Sequence, residues 1–403
     1  MKKIIAMTGL MTIVYFTALF IYTPNLSIYA ESLGATVTMV GLLGGIYGLL
    51  QVILRIPLGI ISDKINKRKI FIIVGMGISV ISSVVLYLAE TPEGLLLGRA
   101  LPGASQAAWV IIITLFVSYY EPENASKAMG IILACATIGQ MIGTSAGGLI
   151  YAHLGEKVPF LISIIGAAAA FILSFFIKDA PKSYEKKPAV KGELFKVGKQ
   201  KNVLIYSIVT GIMHFVMFAT IMTFTPVIAS GIGAGGAEIG LMVFAYTATG
   251  VIASLMMGNV IKDRHEIPMT VIGMLLMVVS TALTPFAGSV AALCILQVVG
   301  GFGRGFAFSC LSARTVKSVP PEKSATATGL LQAVLAVGIF LGPILTGFLI
   351  DNLPRGIGMT IAYMALAVIS LVGALITFLA MRKGITKTIY QNGVKPGNEP
   401  SAV

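Results

Sequence analysis

Residues 329–347 read GLLQAVLAVGIFLGPILTG, a run marked by Gly329, Gly338, Gly342, Pro343 and Gly347. A similar run, GIILACATIGQMIGTSAGG, occupies residues 130–148, and 329 minus 130 gives an offset of 199. Seven glycine pairs along the apolar part of the chain share this offset: Gly34 with Gly233, Gly41 with Gly240, Gly59 with Gly258, Gly130 with Gly329, Gly139 with Gly338, Gly143 with Gly342 and Gly148 with Gly347. Chance gives about two or three such pairs. The chain is therefore predicted to consist of two related halves.

Composition predicts an integral membrane protein. Hydrophobic residues make up 56% of the 403 residues, charged residues only 11%, and the mean hydropathy is +0.93. A helix needs about 20 apolar residues to cross the hydrocarbon core of a bilayer. Stretches of that length predict twelve helical spans: 4–28, 37–62, 70–89, 95–119, 126–152, 158–177, 203–229, 237–261, 268–287, 290–314, 324–350 and 358–381.

Six spans precede a long polar segment and six follow it, so the spans divide the chain as the duplication does. We expect an all-α protein with the following parts: a first bundle over 1–178, a cytoplasmic linker over 179–202, a second bundle over 203–383 and a polar cytoplasmic tail over 384–403. The first apolar run follows two lysines as in a signal peptide, but it shows no clear cleavage site and is expected to be a retained span.

Cysteine spacing and polar clusters predict no catalytic or metal chemistry. The three cysteines, Cys135, Cys294 and Cys310, lie within spans, in neither a metal motif nor a disulfide framework. No nucleophile, base and orienting residue are grouped as an enzyme would need. Neither a cofactor nor a metal is expected.

The formal charge of +13 is distributed unevenly between alternate loops. One set of loops carries nearly all the basic residues: Lys64, Lys67, Arg68, Lys69, Lys182, Lys186, Lys187, Lys191, Lys196, Lys199, Lys201, Lys262, Arg264, Lys317, Lys323, Arg382 and Lys383. The other set carries only Lys157 and Arg355, among several acids. Short loops rich in lysine and arginine stay cytoplasmic, so we expect a multi-pass inner-membrane protein with both termini inside and no nucleic-acid partner. The linker lysines are either simply solvated or attract anionic lipids.

The end of span 2 carries a patterned cluster whose members are Gly59, Asp63, Lys64, Lys67 and Arg68. It resembles the first-half signature of the major facilitator superfamily, although Asn66 stands where that signature has glycine. The resemblance implies two six-helix bundles around a central cavity, which rock to expose the cavity to either side. Gly59 is expected to permit close helix approach, and the whole cluster to set the balance between inward-open and outward-open states. A merely solvated helix end is the alternative.

Two arginines lie inside the predicted spans of the first half. Arg55 precedes Asp63 by eight residues, about 12 Å along a helix. An intramembrane arginine is a functional candidate, or else Arg55 locks spans together through backbone carbonyls. Arg99 matches an arginine that the resemblance links to proton coupling, and its partner is not evident from the sequence.

Spans 1, 4, 7 and 10 line the cavity in this superfamily. Their polar and aromatic residues are the candidate substrate contacts: Tyr15, Tyr22, Asn25, Gln106, Trp109, His214, Phe218, Gln297, Arg304 and Phe308. His214 is either a proton relay or a buried neutral ring bonded to a carbonyl, and Trp109 either lines the cavity or packs in a core. Pro24 predicts a kink near the outer end of span 1.

The glycine ladder resembles a signature of the drug and metabolite efflux branch. Gly130, Gly139, Gly143 and Gly147 fit it in the first half, but Thr144 replaces its proline. The second ladder, Gly329 to Gly347, keeps Pro343. Both ladders are candidate hinges and packing sites, and the missing proline weakens the inference to export.

The placement of charge bears on the substrate. All acids lie at span ends or in loops, whereas Arg55, Arg99 and Arg304 lie inside spans. Guanidinium groups favour an anionic or zwitterionic solute, while the ladder resembles that of exporters. We predict a monomeric secondary active transporter that exports a small organic solute, driven by protons and in contact with membrane lipids. An organic-anion exchanger or uptake carrier is the alternative; a channel would not need two rocking halves.

Overall fold

The computed structural model describes residues 2–65, 67–121, 124–179, 197–259, 266–320, 323–354 and 356–391. Every regular element in this part of the chain is a helix. In chain order the spans consist of Lys2–Phe20 with Leu26–Ser32 (span 1), Val37–Ile65 (2), Arg68–Leu88 (3), Pro92–Ala107 with Trp109–Val117 (4), Ala125–Leu154 (5), Val158–Ser174 (6), Lys201–Ala219 with Thr225–Gly231 (7), Gly236–Asn259 (8), Glu266–Leu283 (9), Val290–Lys317 (10), Ser324–Asp351 (11) and Gly358–Gln391 (12).

The predicted spans are confirmed. Eleven of these helical segments are long and apolar enough to cross a membrane, and Val158–Ser174 is a shorter apolar helix of 17 residues. Because the count is even, both termini lie at one end of the molecule. We call this end, with the described residues near 67, 120, 178, 199 and 320, the terminal end. The turns near residues 34, 90, 156, 233, 288 and 354 form the far end.

Spans 1 and 7 are interrupted near the far end. In span 1 the helix stops at Phe20 and resumes at Leu26 after a 3₁₀ turn, Thr23–Asn25. Pro24 lies in that turn, where a missing amide hydrogen is harmless, so the predicted kink is confirmed. In span 7 a π-helical segment, Thr220–Phe224, takes the equivalent place. Such segments interrupt the regular hydrogen-bond ladder and often mark functional sites.

Each glycine ladder packs one helix against the first span of its own half. A Cβ atom on Gly139 would lie 2.4 Å from the carbonyl oxygen of Ile13 in span 1. A Cβ atom on Gly338, its partner at the 199 offset, would lie 2.2 Å from the carbonyl oxygen of Gly211 in span 7. Only glycine permits such approaches, so Gly139 and Gly338 are packing residues. Because these two contacts are equivalent in the two halves, the predicted duplication is also visible in the helix packing.

Two glycine seams join the bundles, and both lie in the half nearer the far end. In the first seam, span 2 meets span 11, and a Cβ atom on Gly41 would lie 3.2 Å from the Cα atom of Gly347. In the second seam, span 5 meets span 8, and a Cβ atom on Gly148 would lie 2.6 Å from the Cα atom of Gly240. Small residues let helix backbones approach in a membrane, so the seams close the far end.

Three predicted packing glycines depart from expectation. Among the described residues, a Cβ atom on Gly59, Gly130 or Gly329 would meet nothing within 4 Å. The described residues therefore show no close helix approach at Gly59, and all three positions lie toward the terminal end, beyond the reach of the seams. Gly143, Gly147 and Gly342, by contrast, each face a backbone carbonyl of span 1 or 7.

Two further predictions concern chain segments between and after the bundles. The last helix runs to Gln391, so the first residues of the segment predicted as a tail from residue 384 are helical. Most of the linker predicted over 179–202 lies outside the described residues.

Candidate functional site

In the first bundle, spans 1 and 4 bring one group of predicted cavity residues together. The hydroxyl oxygens of Tyr15 and Ser105 are 2.9 Å apart and share a hydrogen bond. The ring of Trp109 meets Phe16 edge to face, with centroids 4.9 Å apart. Gln106 is buried beside them. Trp109 is 6% exposed, so in this conformation it packs among other rings.

Arg99 lies above this group, where three spans meet. Its Nη1 atom donates to the Tyr22 hydroxyl at 3.2 Å. Its Cζ atom is 5.6 Å from the centroid of the Tyr22 ring and 4.8 Å from that of Tyr47. The partner that the sequence did not identify is therefore a pair of tyrosines, whose electron-rich faces attract the cation.

Phe218 of span 7 connects this group to the second bundle. Its ring stacks on that of Tyr47, with centroids 6.3 Å apart and an interplanar angle of 15°. Both side chains are buried. This aromatic contact joins span 2 of the first bundle to span 7 of the second.

In the second bundle, His214 and Arg304 share an aromatic neighbour. The His214 Nδ1 atom donates to the carbonyl oxygen of Thr210 at 2.9 Å. Its ring meets Phe308 edge to face at 5.4 Å, and the Arg304 Cζ atom lies 5.6 Å from the same Phe308 ring. The bond to a carbonyl matches one of the two interpretations of His214, and it leaves the Nε2 atom as an acceptor.

Gln297 lies in span 10, seven residues before Arg304, beside a small polar cavity. Its Nε2 atom donates to the Thr284 hydroxyl at 3.3 Å. The cavity has a volume of about 10 Å³ and is also lined by Thr220, Tyr246 and Ser280. That volume holds about one water molecule.

Asn25 lies near the far end rather than beside the arginines. Its Oδ1 atom would be 3.4 Å from a Cβ atom on Gly236 of span 8. Among the described residues, neither polar atom of its buried side-chain amide has a hydrogen-bond partner. Asn25 therefore lies beside the second seam.

Arg55 joins span 2 to span 11. Its Nη1 atom donates to the backbone oxygen of Gln332 at 3.0 Å and to the Oε1 atom of that residue at 3.3 Å. Its Nη2 atom donates to Oε1 of Gln51 at 2.9 Å. This is the lock through a backbone carbonyl that was one of the two interpretations of Arg55.

The patterned loop after span 2 is described only in part. The side chains of Asp63 and Lys64 and the whole of Asn66 lie outside the described residues. Lys67 is exposed and Arg68 is buried. The proposed role of this cluster in switching stays a prediction.

The intramembrane arginines are held without carboxylates. In the described part of the chain, no carboxylate pairs with Arg55, Arg99 or Arg304. The Nε atom of each is buried without a hydrogen-bond partner. Charged groups in a membrane interior are costly unless they are paired, and aromatic rings and uncharged oxygens are the groups that contact these arginines among the described residues.

Sequence reasoning missed Tyr47, Gln51 and Gln332. A signal for two of them exists, because Gln51 and Tyr47 lie four and eight residues before Arg55 and so share its helix face. Gln332 lies inside the quoted ladder, and nothing in the ladder marks it as the partner of Arg55.

Comparisons with known proteins agree with this architecture. A family model described as Major Facilitator Superfamily matches residues 8–228 and 206–400. An uncharacterized MFS-type transporter of Methanocaldococcus jannaschii, MJ1560, is 26% identical over 372 residues, which cover 89% of this chain and 93% of the relative. The bacillibactin exporter of Bacillus subtilis is 24% identical over 370 residues, covering 87% of this chain and 90% of the exporter.

A solved structure shares the fold. The crystal structure of the nucleoside transporter NupG matches with a TM-score of 0.75 at 18% identity, over 94% of this chain and 99% of that one. At that identity the likeness extends to the fold alone.

Proposed function

The chain belongs to the Major Facilitator Superfamily, and we propose that it exports a small organic solute by alternating access of one central site. The observation that carries the proposal is the pair of glycine seams, which hold the far end closed. Among the described residues, a Cβ atom on Gly130 or Gly329, also a pair at the 199 offset, would meet nothing within 4 Å toward the terminal end. A far end closed by backbone contacts, without such contacts at these two terminal-end positions, supports one of the two rocking states.

The orientation follows from charge. The terminal end carries the loops rich in lysine and arginine, and such loops remain in the cytoplasm. We therefore place the terminal end inside the cell, which makes the described conformation closed to the outside.

Export is supported by similarity and by the ladder. The bacillibactin exporter matches most of the chain, and the second ladder retains the glycines and Pro343 of the efflux-type pattern. Proton coupling is the finer part of the proposal. His214 is the candidate carrier, because its Nδ1 atom is committed to Thr210 while Nε2 remains available to accept a proton.

A specific observation favours a second candidate, an organic-anion exchanger or uptake carrier. Arg55, Arg99 and Arg304 have no carboxylate partner in the described residues. Aromatic rings lie against two of them: Tyr22 and Tyr47 against Arg99, and Phe308 against Arg304. Such a site suits a solute with one anionic group and an apolar body.

Flux through purified protein in proteoliposomes tests both candidates. Ethidium, carboxyfluorescein and uridine serve as cationic, anionic and nucleoside probes, with and without a pH gradient. Alternating access requires saturable flux and counterflow, and export by proton exchange requires a response to the gradient. Saturable carboxyfluorescein exchange without a response to the gradient would favour the second candidate. Flux without saturation or counterflow would contradict both.

A seam variant supplies the control. Gly148→Trp places an indole where a Cβ atom alone would lie 2.6 Å from the Gly240 Cα atom, so the far end cannot close. Net flux through this variant should fall to the level of liposomes without protein.

A further inference from the structure

The charge of Arg99 is stabilised mainly by aromatic rings. The residue is 4% exposed, and its Nε atom has no hydrogen-bond partner. Its guanidinium carbon lies 4.8 Å from the Tyr47 ring centroid, closer than the 5.6 Å to that of Tyr22. Tyr47 is therefore the closer of the two rings that stand in for a counter-ion.

Tyr47 is itself held in place by span 4, which carries Arg99. A Cβ atom on Gly103 would lie 2.4 Å from the carbonyl oxygen of Tyr47. Only glycine permits this approach, which fixes the spacing between spans 2 and 4 at Gly103. Gly103 follows Arg99 by four residues, about one helical turn. The Tyr47 backbone is therefore held against span 4, and its ring is 3% exposed.

The same ring reaches the other bundle. Tyr47 stacks on Phe218, and both side chains are buried at 3% and 7% exposure. Stacked aromatic rings attract each other beyond what their buried area alone contributes. Tyr22, Arg99, Tyr47 and Phe218 therefore form a continuous chain of contacts from one bundle to the other.

We propose that Tyr47 is a positioning residue that holds Arg99 for the substrate and transmits the occupancy of Arg99 to Phe218 in the second bundle. An anionic group that reaches Arg99 forms charge-assisted hydrogen bonds, which are the strong ones, and draws the guanidinium away from the ring. The Tyr47 ring then loses its cation, and its stack on Phe218 is free to change as the bundles rock. This relay rests on the proposed alternating access and names the contact through which substrate controls it.

The test measures conformation without substrate. Spin labels at the exposed far-end positions Glu93 and Gly288, one in each bundle, report the ratio of open to closed molecules by electron double resonance. The three native cysteines, Cys135, Cys294 and Cys310, are replaced by serine in this background. The result does not depend on flux, so loss of transport and failure of the relay are distinguishable.

Arg99→Gln removes the cation from the face of the Tyr47 ring, as an anionic substrate is proposed to do. In the parent protein it should change the open-to-closed ratio by about fivefold, the lower range of measured couplings between sites. In a Tyr47→Leu background the same change should have an effect of less than about twofold, since the relay is already cut. Tyr47→Phe keeps a ring at this position and should restore the response.

Tyr29→Leu is the matched control. Tyr29 is equally buried in the first bundle at 3% exposure and packs on Phe160, so the response to Arg99→Gln should persist. If Tyr47→Leu does not fold, as judged by gel filtration and thermal unfolding, Tyr47→Met takes its place. An Arg99→Gln effect that is absent in the parent, or equal with and without the Tyr47 ring, would overturn the proposal.

Discussion

Gly148→Ala should open the far end of the molecule. A Cβ atom at this position would lie 2.6 Å from the Gly240 Cα atom and 2.5 Å from the Gly236 carbonyl oxygen. Carbon atoms in contact are about 3.5–4.0 Å apart, so spans 5 and 8 must separate by about 1 Å. Both sides of the contact are helix backbone, which cannot swing aside as a flexible side chain does.

The magnitude follows from the cost of overpacking. Extra methyl groups in a well-packed contact cost about 1–3 kcal/mol, and here the cost applies only to the state in which the seam is closed. A difference of 1–3 kcal/mol changes an equilibrium by about 5–150-fold. The same spin-label pair, Glu93 and Gly288, should therefore show a population at longer distance that is minor or absent in the parent.

Gly77→Ala separates the seam effect from helix propensity. Gly77 also lies inside a helix, but among the described residues a Cβ atom there would meet only the Phe171 ring, at an ordinary 3.4 Å, within one bundle. The Gly77 variant should keep the parent distances. An unchanged distribution for Gly148→Ala, or an equal change in both variants, would refute the role of the seam.

Three further predictions concern contacts around the seams and the proton. At the N-terminus of the span 2 helix, Asp351 accepts hydrogen bonds from the Thr38 amide, at 2.8 Å, and from the Thr38 hydroxyl. Asp351→Asn removes a favourable interaction between the carboxylate and the helix dipole, worth about 0.3–1 kcal/mol, and should raise the population open at the far end about two- to fivefold. Equal open populations in the variant and the parent would contradict this. Arg55→Met removes two charged hydrogen bonds to Gln332 across the bundles, each worth about 1.5–3 kcal/mol. The spin labels at Glu93 and Gly288 should therefore report at least about tenfold more open molecules. An unaltered ratio of open to closed molecules would exclude a role of Arg55 in holding spans 2 and 11 together. His214→Gln should lower flux driven by a pH gradient about tenfold or more, as expected on loss of a proton-transfer group, while counterflow persists. Gradient-driven flux at the parental rate would exclude His214 as the proton carrier.

The sequence was sufficient for the spans and the duplication because both depend on local properties. Apolar length alone marks a membrane helix, and a glycine that meets another backbone has no substitute. The contacts between bundles were not predictable. Arg55 contacts Gln332, and Tyr47 contacts Phe218. These contacts depend on how helices that are distant in the chain are rotated about their axes and shifted along the membrane normal. Hydrophobic periodicity carries little of that information in a membrane, because lipid and protein interior are similarly apolar.

The two ladders differ at one position, and the structure indicates why that difference is tolerated. In the first seam the carbonyl oxygen of Pro343 would lie 2.5 Å from a Cβ atom on Gly41, and in the second the carbonyl oxygen of Thr144 would lie 3.1 Å from one on Gly240. These are equivalent contacts, since 343 minus 144 and 240 minus 41 both equal 199. Each is made by the backbone of the ladder and does not require the proline ring. The Thr144 hydroxyl instead donates to the Gln140 carbonyl at 3.0 Å within its own helix. The absence of a proline therefore leaves the second seam intact, and it is a weaker argument against export than the sequence alone suggested.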